Sequence, residues 1–476
     1  MLGWEYPPHV SGGLGTACRG LTVALAQQGV EIDFVLPKIY GEENAAHLRL
    51  VDAAAPELVA RQGTGRLNFA QLGVEFHEVP ALLAPYMNAE QYREVLHALE
   101  TAMSTASTAA SDHPIAKLKA ALASASVAGL TPSGSALAAL PITPDTGPSD
   151  VTPQFVPDQY AGDLFAEVER YASRLASGLS GDWQVIHAHD WMTFPAGIAL
   201  AQRTGLPLVV HVHSLEQDRS GSGCDQRIVA IEHAGLWAAS KVIAVSHYTR
   251  NMIHRLHGVP LEKIEVVHNG VSVPQAVEAY RKDAQWTGPV VLFLGRITLQ
   301  KGPDYFVAAA ARVAKLIDDA VFVMAGVGDM LPQVMAQVES LGLSSRFFFP
   351  GFLNAEEVER MYCLADVYVM PSVSEPFGIT ALEAMSYNKP VIVSRQSGVA
   401  ELVRHALKVD FWDIDQLASQ IVAVLRYPEL RQAMIASAGD EVRRVHWDAA
   451  AQTVMGVYQG LSAGAGARVG DSPGGG

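Results

Sequence analysis

The sequence predicts an α/β protein built from two doubly wound domains facing a central cleft. In the second half, short uninterrupted apolar runs at Val290–Leu294, Val321–Ala325, Phe347–Phe349, Val367–Met370 and Val391–Val393 alternate with helical patterns. The first half repeats the alternation with runs at Val185–Ile186, Leu208–Val210, Val242–Val245 and Ile264–Val267. Continuous apolar strands separated by helices imply a parallel sheet covered on both faces. Such sheets bind ligands at the carboxyl ends of their strands, so the chemistry is sought in the residues that follow each strand.

Taken in order, Leu14, Ala17, Leu21, Ala24 and Leu25 recur at helical spacing and Gly29 supplies a stop. Val30–Leu36 reads as a strand closed by Pro37, and residues 67–80 as a hairpin or irregular strands. From about 97 to 157, Ala, Ser, Thr, Gly and Pro dominate, which predicts a partly disordered insertion with a short helix near Ile115–Ala123. Leu164, Val168, Tyr171 and Leu175 form a helical stripe, Ser246 is placed to cap a helix, and 272–288 reads as a polar linker. Residues near 440–460 read as helix, with Trp447 and Tyr458 needing a surface to bury against, and 462–476 as a Gly-rich disordered tail. The expected division is therefore 1–272, 273–445, a helix over 446–461 packing back on the first domain, and the tail.

Composition narrows the function classes. The 476 residues are 49% hydrophobic, enough for full cores, and 34 Lys and Arg against 49 Asp and Glu leave a formal charge of −15. That balance would repel a phosphate backbone, so no nucleic-acid partner is expected, although local cations can still hold a small phosphorylated ligand. Three scattered cysteines suit a reducing cytoplasm, and the absence of a long apolar run predicts no integral membrane association.

Three loops carry the chemistry. Ser11-Gly12-Gly13-Leu14-Gly15 opens the first helix and suits either a phosphate contact or tight helix packing. Gly295-Arg296-Ile297-Thr298-Leu299-Gln300-Lys301-Gly302 sets two cations at a strand's carboxyl end, where they can neutralise a diphosphate leaving group or simply be solvated. Pro371 to Glu383 is the strongest signal: after a strand comes Glu375, then a helix start where the N–H groups of Gly378, Ile379 and Thr380 would face an anion, and then Glu383, able to hold a ribose diol. The two glutamates could instead form a glycosidase pair, a reading disfavoured by so anion-seeking a neighbourhood. His187 and His189 end a strand ahead of Asp190-Trp191, and their spacing fits no zinc ligand set. His211-Val212-His213-Ser214-Leu215-Glu216 ends the next strand and is assigned a supporting or acceptor-side place.

Together these stretches resemble retaining glycosyltransferases of the GT-B fold, family four, and within it the glycogen- or starch-synthase-like members. The residues that carry the resemblance are Trp4-Glu5-Tyr6-Pro7-Pro8 with Gly12 to Gly15, His187 to Trp191, Val245-Ser246, His268-Asn269-Gly270-Val271, Gly295-Arg296 with Lys301-Gly302, and the E-x7-E pair Glu375 and Glu383. The resemblance implies two Rossmann-like domains. It implies a hexose, glucose above all, moved from an ADP- or UDP-sugar to a glycan acceptor, with no cofactor and no metal. Arg296 and Lys301 would grip the diphosphate, Glu375 the sugar near its reacting carbon, and His189 a sugar hydroxyl. Gly378, Ile379 and Thr380 would bind phosphate, Glu383 the ribose, and Gly12 and Gly13 would complete the site from the first domain. No Asp-x-Asp metal motif lies near the expected cleft.

Two departures stand out. Val10 occupies the position of a lysine that bacterial glycogen synthases of the neighbouring family carry, and only Met1-Leu2-Gly3 precede Trp4, so either the first strand is truncated or the true start lies upstream. The competing readings are the same fold acting on a disaccharide, lipid or envelope-glycan acceptor, and a nucleotide-sugar epimerase. A dinucleotide oxidoreductase is disfavoured, because no G-x-G-x-x-G follows a strand; a glycan-binding relic without activity would follow from loss of the first strand.

Overall fold

The computed structural model describes residues 1–8, 13–41, 43, 45–54, 164–274, 286 and 288–467. The expected hairpin at 67–80, the insertion at 97–157, Gly12 and most of the 272–288 linker lie outside the described residues.

In the first lobe α1 (Gly13–Gln27) leads to β1 (Asp33–Leu36), paired in parallel with β2 (Arg49–Asp52). After α2 (Leu164–Gly178) come β3 (Ile186–His189), α3 (Phe194–Thr204), β4 (Leu208–Val212), α4 (Glu216–Ser220), α5 (Gln226–Ala238), β5 (Lys241–Ala244), α6 (His247–His257) and β6 (Ile264–Val266). Strands β3-β4-β5-β6 are hydrogen-bonded in that order, all parallel. The gap between β1 and β3 is filled by Leu2. It bridges in parallel to Val35 on one side and Ala188 on the other, donating to the His187 carbonyl at 2.7 Å and accepting from the His189 N–H at 3.0 Å. Leu2 is buried and makes these bridges on both sides, but it forms no strand of its own, in keeping with the short first strand expected. β2, half-exposed and only four residues long, carried no sequence signal.

The second lobe follows with β7 (Val290–Leu294), α7 (Pro303–Val313), β8 (Val321–Ala325), α8 (Leu331–Ser340), β9 (Phe347–Gly351), α9 (Ala355–Leu364), β10 (Val367–Met370), α10 (Ile379–Ser386), β11 (Val391–Ser394), β12 (Leu407–Val409), α11 (Ile414–Arg426) and α12 (Pro428–Val442). The five expected strands are present, and a short edge strand, β12, joins them. The order is β12-β11-β10-β7-β8-β9, every pair parallel. The chain winds outward from β7 through β8 and β9, then returns to β10 on β7's other side. The crevice between the carboxyl ends of β7 and β10 is therefore a topological switch point, where connections leave in opposite directions and a ligand can enter.

The last helix, α13 (Trp447–Ala467), packs against the first lobe. Ala450, Ala451 and Val454 join the first-lobe core, and Tyr458 meets His187. It runs to Ala467, so the tail expected to be disordered from 462 instead continues the helix for another turn and a half; 468–476 lie outside the described residues. No helix of the described residues is long and apolar enough to cross a membrane.

A buried polar cluster stiffens the first lobe. Arg219 donates from Nε to Glu216 at 3.1 Å and from a terminal nitrogen to Glu232 at 3.0 Å, and all three side chains are nearly inaccessible. Burial pushes the Glu232 carboxyl up from 4.5 to about 8, against the pull of Arg219 and the N–H of Glu216. One guanidinium shared between two buried carboxylates leaves Glu232 holding its proton.

This packing leads to two expectations. The folded state retains the Glu232 proton that the unfolded chain releases, so this stabilisation is complete below about pH 4.5 and is lost as pH rises through about 8. Urea titrations at about pH 5 and about pH 8 should show Glu232→Gln flattening that loss, which is on the order of several kcal/mol in the parent. Second, a Cβ on Gly270 would lie 2.3 Å from the Trp447 backbone nitrogen, where the chain crosses back to the first lobe. Gly270→Ala should cost about 1–3 kcal/mol in denaturant unfolding.

Candidate active site

The switch-point crevice is built by two loops. After β7 the chain turns through Gly295 into a 3₁₀ turn, Leu299–Lys301, ended by Gly302 at φ 63°. A Cβ there would sit 2.3 Å from the Pro371 carbonyl, so only glycine lets this loop touch the one after β10. The loops are then stitched together: Val373 N–H donates to the buried Gln300 carbonyl at 2.9 Å, and Arg296 donates to the Gln300 side chain at 3.0 Å.

That approach sets Lys301 Nζ 2.5 Å from Glu375 Oε2, which also accepts from Ser372 Oγ at 3.1 Å. Glu375 is 5% exposed, and its backbone is pinned on both sides, by its N–H to the Gln396 carbonyl and by Gly398 N–H to its own carbonyl, each at 2.9 Å. Just beyond, Gly378 at φ 104° begins α10 with no side-chain cap, leaving the helix's first N–H groups, from Ile379 and Thr380, facing the crevice end. Here too glycine is required, because φ is left-handed and a Cβ would lie 2.8 Å from the Met370 methyl carbon. Tyr368 Oη holds the Thr380 hydroxyl at 2.8 Å. Glu383, one turn on, accepts from Tyr362 Oη at 2.9 Å, and burial pushes its carboxyl above the usual range. Gly295, Lys301, Tyr368, Ser372, Glu375 and Thr380 line one recess. Arg296, Lys301, Glu375, Gly378, Ile379, Thr380 and Glu383 thus belong to one neighbourhood.

The first-lobe residues are arranged differently. Gly13 stands exposed at the start of α1, with open space around its α-carbon. His189 is fully buried, and its hydrogen bond, to His213 at 3.0 Å, and its ring contacts all lie within the first lobe. The register pairs His189 with His211, so the two His-x-His stretches of β3 and β4 lie on one face of the sheet and stack. Burial lowers all four imidazoles, His213 to about 3, so they are neutral at physiological pH. Along the chain each pair stands by itself; the signal that could have joined them is the same motif ending two successive strands.

The structure also shows contacts between the lobes that no stretch of sequence announced. Ser374, beside Glu375, donates to Asp218 at 2.5 Å and meets Tyr248 Oη at 2.8 Å, joining the lobes. Ser246 caps α6 through the Thr249 N–H at 2.9 Å, as expected, and also donates to the Pro376 carbonyl at 2.6 Å. Glu401 of the second lobe accepts from the N–H groups of His247 and Tyr248 at 3.0 and 2.6 Å. These contacts join positions more than a hundred residues apart, which no local pattern announces.

Comparison with known proteins agrees with this geometry. Three family profiles cover the chain almost end to end: the starch synthase catalytic domain over 1–108, glycosyltransferase family 4 over 116–274, and glycosyl transferases group 1 over 277–440. An uncharacterized glycosyltransferase of Methanocaldococcus jannaschii is 32% identical over 295 residues, 58% of this chain and 75% of that protein. Glycogen synthase of Mycobacterium tuberculosis is 30% identical over 292 residues, 59% of this chain and 70% of that protein. In fold, sucrose-phosphate synthase from Thermosynechococcus elongatus superposes with a TM-score of 0.63 at 19% identity, covering 97% of this chain and 98% of that one. Two parallel-sheet lobes, a charged crevice at the second lobe's switch point and these relatives together identify the chain as a member of the group 1, family 4 glycosyltransferases, an enzyme of the GT-B fold with glycogen- and starch-synthase-like relatives.

Proposed function

We propose that the enzyme moves a hexose, glucose in the first instance, from ADP- or UDP-sugar to a growing glycan with retention of anomeric configuration. The observation that carries this reading is the Lys301–Glu375 pair at the switch point, beside the uncapped amino end of α10. The glycogen synthase relative supports the glucan acceptor.

In this reading the diphosphate settles against Arg296, Lys301 and the N–H groups of Gly378, Ile379 and Thr380, with Gly12 and Gly13 closing from the first lobe. Two cations and a helix amino end supply fixed positive charge where the leaving oxygen becomes anionic, the role a divalent ion would otherwise fill. Glu375, partner of Lys301 without substrate, accepts hydroxyls of the donor sugar, Glu383 takes the ribose diol, and His189 contributes from the first lobe. The acceptor oxygen bonds to the anomeric carbon on the face from which phosphate departs. The carbon–oxygen bond to phosphate breaks with its electron pair, and the departing phosphate oxygen takes the acceptor's proton. Orientation and charge stabilisation, with lobe closure around the donor, supply the rate. The three scattered cysteines, Cys18, Cys224 and Cys363, suit the reducing cytoplasm where such donors are used.

Two measurements check this. Nucleoside diphosphate release from ADP-glucose and UDP-glucose should require a glycogen primer and leave an α-linked product. Release with another acceptor only would transfer the reading to that acceptor, and donor isomerisation without acceptor would replace it with epimerisation. Arg296→Ala, Lys301→Ala and Glu375→Ala should each lower kcat by about 10²–10³-fold, and wild-type turnover in all three would refute the site.

A further inference from the structure

Three groups of side chains among the described residues bring His, Cys or carboxylate donor atoms within 4.8 Å of one another. Two of them, Cys18 with His189 and His213, and His187 with His189 and His211, lie inside the first lobe. There the rings of His187 and His189 stack 4.4 Å apart at 17°, and those of His211 and His213 4.3 Å apart at 20°. In the first group the His189 and His213 nitrogens facing each other, 3.0 Å apart, are already hydrogen-bonded to one another, and in the second His187, His189 and His211 are all buried with rings stacked face to face, so that their in-plane lone pairs do not converge.

The third group is different on each count. His247 opens α6 and His268 follows β6, both in the first lobe; Glu401 belongs to the second. The two rings meet at 64° with centroids 5.8 Å apart, so their planes can intersect at a shared ion. His268 Nε2 already lies 3.3 Å from Glu401 Oε2. That contact is a hydrogen bond, and its spacing matches the roughly 3.3 Å between donors around a tetrahedral zinc with bonds of about 2.0–2.1 Å, so an ion could take the proton's place there once His268 releases it, with His247 needing only a side-chain adjustment. The Glu401 carboxylate is held in place by the N–H groups of His247 and Tyr248, the kind of supporting hydrogen bond that orients a ligating carboxylate. The side chains of His268 and Glu401 are 27% and 25% exposed, which leaves an entry path.

We propose that His247, His268 and Glu401 form a binding site for a divalent d-block cation, with Zn²⁺ as its representative occupant, that bridges the two lobes. Two imidazoles and one carboxylate suit Zn²⁺, Co²⁺ or Ni²⁺ better than Mg²⁺ or Ca²⁺, which prefer all-oxygen shells. The site adjoins the loop that carries Glu375: the His268 ring lies 6.1 Å from that of Phe377, and Ser246, next to His247, bonds the Pro376 carbonyl. An ion held there ties α6 to the second lobe and restrains any relative motion of the lobes. Its role is regulatory, separate from the transfer chemistry, and its binding does not depend on which donor or acceptor the enzyme uses.

The test uses the full chain, stripped with chelator and titrated with Zn²⁺ by calorimetry. One saturable equivalent is expected, with a zinc-dependent rise in thermal midpoint, and the His247→Ala/His268→Ala variant should bind more than about 100-fold more weakly and show no zinc-dependent rise above its own metal-free midpoint. If the double variant does not fold, His268→Gln alone should weaken binding in the same direction. Cobalt loading separates this site from the buried group containing Cys18, since an imidazole–carboxylate site gives weak visible bands without a sulfur charge-transfer band. Absence of saturable binding, zinc affinity unchanged in the variants, or a sulfur band would each overturn the proposal.

Discussion

The site depends on a close approach of two loops at the place where the second sheet reverses its winding. Because connections leave β7 and β10 in opposite directions, no crossover covers the crevice between their carboxyl ends. Gly302 lets the backbone of one loop pass against the Pro371 carbonyl of the other, and that contact delivers a lysine ammonium to a nearly buried glutamate. In a partly desolvated crevice the pair interacts more strongly than it would in water. Ser372 and the backbone bonds to 396 and 398 fix Glu375 before any substrate arrives. Groups already oriented cost little reorganisation when charge develops beside them.

The first lobe supports the same loop from the other side. Its buried Arg219–Glu216–Glu232 cluster anchors the short helix α4, and Asp218 on that helix accepts the hydroxyl of Ser374, the residue before Glu375. Tyr248 reaches the same hydroxyl from α6, and Ser246 and Thr249 both donate to the Pro376 carbonyl. The loop carrying the central carboxylate is therefore clasped at 374 and at 376 by side chains of the opposite lobe. α13 adds a second tie, leaving the second lobe near Val445 and burying its apolar face against α1.

Much of this was legible in the sequence, for identifiable reasons. Strands buried on both faces must be continuously apolar, so β4, β5, β7, β8, β10 and β11 were readable as hydrophobic runs, while β3 was marked only by the Val185-Ile186 pair before its histidines and β9 by its three phenylalanines. Elements without that constraint were not. β2 and β12 are short and half-exposed, and Leu2 bridges β1 and β3 through one residue's backbone bonds. His187 and His189 were recognisable as a strand-end pair, but their enclosure in a four-ring stack depends on β4 lying beside β3, which alternation alone does not specify.

The amino-acid sequence by itself determined the class of fold and the chemistry of the loops, because apolar runs dictate buried strands and because glycine, lysine and glutamate after a strand end can only be placed at the sheet's carboxyl edge. Which of those residues meet was decided by tertiary structure. Lys301 and Glu375 are 74 positions apart and Ser374 and Asp218 are 156 apart. Their contacts follow from strand order and lobe packing, and a pattern with the period of a helix or a strand contains no record of either.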